Sequence, residues 1–152
     1  MSKVLHLFRA PAKRVPMAEM AEIQAIADAG FEGCAHARPR GQRQVLLMAS
    51  ERLAEFGLRP GIVRENITTQ GIDVDALVTG QQVRVGGALL EVSIRCEPCD
   101  QMETIRVGLK QALKGKRGTL CRVMEAGRIR QGDTIEVVIH SPAETGALAM
   151  ND

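Results

Sequence analysis

No tryptophan and no tyrosine occur in the 152 residues, and phenylalanine occurs only as Phe8, Phe31 and Phe56. A site that grips bases or sugars by aromatic stacking is therefore not expected. The core has to be built from Val, Leu, Ile, Met and Ala. Charge of one sign is also missing: the net charge is +2, too little to imply a polyanionic partner such as nucleic acid. The basic clusters Lys13-Arg14 and Gly115-Lys116-Arg117 read as solvated turns. No apolar run approaches the ~20 residues needed to cross a bilayer. Met1-Ser2-Lys3 leads into a short strand-like run, not the longer apolar stretch of a signal peptide. A cytoplasmic protein with no membrane contact is expected, with its four cysteines reduced. Internal repeats and low-complexity tracts are absent too, and there is no β-α-β alternation to suggest a parallel sheet.

What is present is a series of short apolar runs punctuated by Gly and Pro. Val4–Phe8, Arg43–Ala49, Val83–Val85, Ala88–Ile94, Thr119–Glu125 and Thr134–His140 read as strands. Gly86-Gly87 is a hairpin signal between two of them. Met17–Ala29 carries Met20, Ile23, Ile26 and Ala27 at helix-like intervals, with Gly30 placed to close a helix. Ser50 stands as an N-cap for a short helix to Phe56, stopped by Gly57. Met102–Val107 is ambiguous, and Leu109–Leu113 makes a helical turn. The fold expected is mostly β, an antiparallel β-barrel with a few short helices. One domain should span residues 1–140, and Ser141–Asp152 should be a flexible tail.

The chemistry concentrates in Ile94–Met102, where Cys96 and Cys99 flank Glu97-Pro98. Four readings stand. The pair could supply half of a zinc site, with Cys34 and His36 as the remaining donors by type, although Cys34-x-His36 is poor spacing for a zinc knuckle. It could be a redox dithiol, although those sit at a helix start in an α/β fold. It could present one functional thiolate, able to carry a persulfide sulfur or bind a transition metal. Or both thiols could be small core residues. Cys121 lies in an apolar run and reads as core; Cys34 is undecided. A second polar loop, Phe31–Gly41, holds Glu32, Cys34, His36, Arg38 and Arg40. A third, Ile62–Gln70, holds Arg64, Glu65, Asn66, Thr68 and Thr69. Arg43 and Arg64 could hold an anion bidentately.

These motifs follow one another in an order that resembles a known family. Glu32-Gly33-x-x-His36 comes first, then Arg43-Gln44-Val45. Next is Gly61-x-x-Arg64-Glu65-Asn66-Ile67-Thr68-Thr69-x-Gly71, then Leu77-x-x-Gly80, Leu90-Glu91-Val92 and Pro98-Cys99. The series resembles the MOSC domain, named after the C-terminal domain of molybdenum cofactor sulfurases, in its small stand-alone bacterial form. The resemblance implies a β-barrel and a cysteine that carries sulfur or ligates molybdenum, which maps onto Cys99. It implies binding of the pterin molybdenum cofactor (molybdopterin), whose phosphate would suit Arg43, Arg64 or both. On this basis Cys99, Cys96 and His36 are the candidate catalytic residues, and Cys99 the candidate metal ligand. Arg43, Arg64, Asn66, Glu32 and Thr68 are the candidate cofactor contacts. Three functions are open: a cofactor-binding or persulfide-carrying protein, the molybdenum subunit of a reductase of N-hydroxylated compounds, or a non-catalytic module with structural cysteines. The implied partners are a cysteine desulfurase or an electron-transfer protein, since no pyridoxal-phosphate domain is present to make persulfide. One departure stands out. Many members have Asp after the glycine of the first motif, where this chain has Cys34, so that Asp's role is not carried over.

Overall fold

The structure, a computed structural model, describes residues 1–139. Its backbone is dominated by strands: β1 (Lys3–Arg9), β2 (Ala18–Glu19), β3 (Glu22–Ile26), β4 (Gly30–Phe31), β5 (Val45–Ala49), β6 (Ile67–Gln70), β7 (Gln82–Val85), β8 (Ala88–Arg95), β9 (Thr119–Glu125), β10 (Gly127–Arg130) and β11 (Ile135–Val137). Three short helices, α1 (Ser50–Glu55), α2 (Gln101–Ile105) and α3 (Leu109–Ala112), complete it with a 3-10 turn at Val74–Ala76. An eight-stranded sheet runs β11-β7-β8-β9-β5-β6-β1-β2, and a three-stranded sheet runs β10-β3-β4.

The β7–β8 hairpin forms as the Gly86-Gly87 signal predicts, with Val85 opposite Ala88. Val83, Leu90 and Val123 line up across β7, β8 and β9 and are all fully buried. Every residue of β5 is buried. Val45, Leu47 and Ala49 join the main core, Met48 joins a cluster with Leu53, Val63, Met102, Leu109 and Leu113, and Leu46 packs with Cys96 and Leu120. A strand covered on both faces needs a continuous apolar run, which is what Val45–Ala49 supplies. The second cluster is the floor on which all three helices sit.

Five expectations change. The sheet is not a closed barrel: its ladder is open, and β1 meets the β11 edge through the isolated bridge Lys3–Thr134 and the backbone bonds around it, Val4 N–H to Asp133, Gly132 N–H to Val4 and Ile135 N–H to Ser2, not through a continuous strand pairing. Nor is it wholly antiparallel, because β5 and β6 pair parallel; the long stretch Ser50–Asn66, with α1 inside it, provides the crossover such a pair requires. Residues 17–29 are strand and turn, not helix. Ile23 and Ala25 are buried between exposed Glu22 and Ile26, a period of two set by pairing Ile23 with Ile129 of β10. Ile23 is buried and Met17 and Met20 pack on the core, but Ile26 and Ala27, which the expected helix would have buried, are exposed. Ser50 makes no cap hydrogen bond; Ala49 occupies the cap position. The final strand is also shorter than expected. It ends at Val137, and Ile139 is exposed. The expected tail, Ser141–Asp152, and His140 lie outside the described residues.

Candidate functional site

Arg64 opens the site. It has a left-handed backbone, φ 66°, uncommon for a residue with a side chain. That reversal sends three successive side chains to three destinations. The Arg64 guanidinium donates to the carbonyls of Val15 and Ala12, pinning the Lys13-Arg14 turn. Glu65 turns inward, where its Oε2 accepts from Gly61 N–H at 2.8 Å and from the Thr68 hydroxyl at 2.8 Å. Burial pushes the Glu65 carboxyl up, against the opposing pull of those donors and of Arg117.

Asn66 is fully buried and is the joint of the site. Its Oδ1 accepts from Leu46 N–H at 3.0 Å, and its Nδ2 donates to the Phe8 carbonyl at 3.2 Å. Those two backbone partners have fixed roles, so the orientation of the amide is determined. The same Oδ1 lies 3.2 Å from His36 Nδ1, and the same Nδ2 lies 3.3 Å from Cys34 Sγ. Nδ1 of His36 must therefore carry a proton, which leaves Nε2 as the nitrogen that titrates. Cys34 Sγ also receives the Ala10 N–H at 3.3 Å. Burial alone would raise this thiol, but the neighbouring His36 ring and the Ala10 and His36 backbone N–H groups outweigh it, and its pKa is lowered to about 7. His36 is raised in turn, first by the neighbouring Cys34 thiol and further by its bond to Asn66, against the effect of burial.

The loop that carries Cys34 and His36 is held by Gln44, which is fully buried. Gln44 donates to the Arg38 carbonyl at 3.1 Å and accepts from Val123 N–H at 2.9 Å. Two clefts meet at His36. One, of about 650 Å³, is lined by Lys13, Arg14, Ala35, His36, Arg64, Gln101 and Thr104. The other, of about 420 Å³, is lined by Ala35, His36, Arg38, Gly41, Gln42 and Arg43. Both are rimmed by cations, with no carboxylate in either lining.

The two polar loops singled out in the sequence thus come together, through Asn66. Arg64, Arg43 and His36 line the clefts. Thr68 is buried beneath them and bonded to Glu65, while Glu32 is exposed and lines neither. Cys99 is exposed just before α2, whose residues Gln101 and Thr104 line the larger cleft; Cys99 itself is not in that lining. Cys96 is buried against Leu46 and Leu120, and burial raises its thiol. Cys121 is wholly buried and pushed up to about 12. Arg117 is not solvated as expected: it is 5% exposed and donates to the Val63 carbonyl at 2.7 Å. Sequence reasoning left Cys34 undecided. Its only signal was the departure from the family's Asp, and the donors that act on it come from Ala10 and Asn66, remote in the chain.

A model of the MOSC domain matches residues 35–136. The chain belongs to the MOSC domain family. Solved structures share the fold. The YuaD protein from Bacillus subtilis is 22% identical, with 93% of this chain and 98% of that one covered and a TM-score of 0.80. YiiM from Geobacillus stearothermophilus is 20% identical, over 91% of this chain and 76% of that one, with a TM-score of 0.75. YiiM from Escherichia coli is 21% identical, over 90% and 70%, with a TM-score of 0.64. No curated protein matches the sequence. At these identities the solved structures establish the fold of this MOSC chain and leave its chemistry to its own residues. No helix among the described residues is long and apolar enough to cross a membrane.

Proposed function

We propose that this MOSC protein binds an anionic molybdenum–pterin group in the cationic cleft at His36, with Cys99 as the soft ligand or sulfur acceptor at its mouth. The observation that carries the reading is the carboxylate-free rim of Lys13, Arg14, His36 and Arg64, completed by Gln101 and Thr104 of α2, which begins two residues after Cys99. Such a lining suits a phosphate-bearing ligand. Among the described residues no group of three or more His, Cys, Asp or Glu gathers to hold a bare metal ion. A metal that arrives on its own organic ligand asks the protein for only one thiolate, so the donor set fits. When bound, the group would supply oxygen-atom or sulfur-transfer chemistry. The chain's residues would do the rest. Arg64 holds the Lys13-Arg14 turn against the cleft, Asn66 fixes the His36 ring, and His36 Nε2 holds or gives up a proton there.

The test is metal and pterin content of protein purified from a host that makes the cofactor. Molybdenum and pterin should co-purify, and Cys99→Ser should lose the metal without unfolding. Arg64→Gly is the companion variant. Glycine accepts the left-handed φ at no cost, so the fold should hold within about 1 kcal/mol. Pterin retention should nonetheless fall because the turn is released. Wild-type protein free of both metal and pterin would sink the reading.

A further inference from the structure

Cys34 and Cys96 are almost equally hidden, at 7% and 8% exposure, yet their surroundings differ in kind. Cys96 packs on Leu46, Leu120 and Ile94. Cys34 is ringed by donors: Ala10 N–H at 3.3 Å, Asn66 Nδ2 at 3.3 Å and the neighbouring His36. Asn66 cannot turn away to spare the sulfur, because Leu46 N–H and the Phe8 carbonyl lock its amide. A locked N–H aimed at sulfur is a device for holding negative charge, and a protonated imidazole beside it is a proton source. His36 also lines both cationic clefts, while Cys34 lines neither; the Asn66 amide joins the two, bonding His36 Nδ1 at one end and Cys34 Sγ at the other.

We infer that Cys34, held by Asn66 and Ala10 and paired with His36, is a second sulfur-accepting thiolate of this protein, taking sulfane sulfur from a small anionic persulfide that enters the cleft. The step balances without an outside redox partner. The Cys34 thiolate attacks the outer sulfur of R–S–SH, and a new S–S bond forms at Cys34. The donor's S–S bond breaks and its electron pair leaves on R–S⁻. The His36 imidazolium protonates that leaving thiolate, so the products are Cys34–S–SH, R–SH and neutral His36. The inference rests on the sulfur-handling part of the proposed function and adds to it a site on a different loop.

The experiment treats the folded Cys99→Ser protein with glutathione persulfide across pH 5.5–9 and reads each cysteine peptide by mass. An added mass of about 32 Da is expected on the Cys34 peptide, with a half-maximal rate near the lowered pKa of about 7. Cys96 and Cys121, equally buried or more so, should load at least about tenfold more slowly. His36→Gln should move the Cys34 midpoint upward while circular dichroism stays native, a change that simple shielding would not produce. Equal slow loading of Cys34 and Cys96, or an unmoved midpoint in His36→Gln, overturns the inference. The wild-type protein separates the two ideas. Loading at Cys99 without Cys34 sinks only this site, and loading at Cys34 without Cys99 sinks only the role given to Cys99.

Discussion

Asn66 makes four hydrogen bonds from four polar positions, which is its full ordinary capacity. Asn66→Ala would leave the Leu46 N–H and the Phe8 carbonyl unpartnered in the core. A loss of about 3 kcal/mol in urea unfolding is expected, well beyond a surface substitution. Asn66→Asp should fall between, since a carboxylate keeps the bonds to Leu46 and His36 but cannot donate to Phe8 or Cys34. A near-neutral Asn66→Ala would show that these bonds are not made in solution. Glu65 makes a pH prediction whose sign follows from its direction. The folded state favours the protonated acid, so the carboxyl costs nothing below its unfolded pKa. Its cost grows as pH rises through the usual carboxylate range and is full above the raised folded value. The stability of Glu65→Gln relative to wild type should therefore improve between pH 4 and pH 8. A difference that is flat or moves the other way would mean that Arg117 holds the carboxylate ionised.

At the scale of elements, β10 is pressed onto the β7–β8 hairpin. A Cβ built on Gly127 would lie 2.0 Å from the Gly87 carbonyl oxygen, and backbone cannot move aside as a flexible side chain can. Gly127→Ala should force the two elements apart and cost about 3 kcal/mol, read as a fall in the thermal midpoint. Faster hydrogen exchange at Ile23 and Ile129, which face each other across β3 and β10, would localise the damage. An unchanged midpoint would mean that the hairpin turn is not so tightly seated. The same pair explains why the 17–29 stretch misled: its partner strand lies about a hundred residues away, and short apolar intervals fit both periods.

For the whole molecule, one buried cluster runs from Val4 and Leu7 through Ile23, Phe31, Val45 and Val83 to Ile129 and Ile135, joining both sheets. A core shared in this way should unfold as one unit. With no Trp and no Tyr, aromatic fluorescence is a poor probe of it. Far-ultraviolet circular dichroism and alkylation of wholly buried Cys121 are better ones, and their urea midpoints should coincide. Separate midpoints would show that the three-stranded sheet melts by itself.

The sequence alone determined the β character, the β7–β8 hairpin, β9 with its bounds, and the family, because each is written in local patterning: alternation, a Gly-Gly turn, a run of ordered motifs. It also marked three polar loops, two of which the structure brings together through Asn66. Which residues of those loops meet was decided only by tertiary structure. Cys34 gained its donors from Ala10 and Asn66, and Arg117 gained a buried acceptor in Val63. The open sheet edge and the parallel β5–β6 pair were settled by packing as well. A thiol's charge state or an arginine's burial depends on which distant N–H or carbonyl the fold delivers to it, and no local pattern encodes that partner.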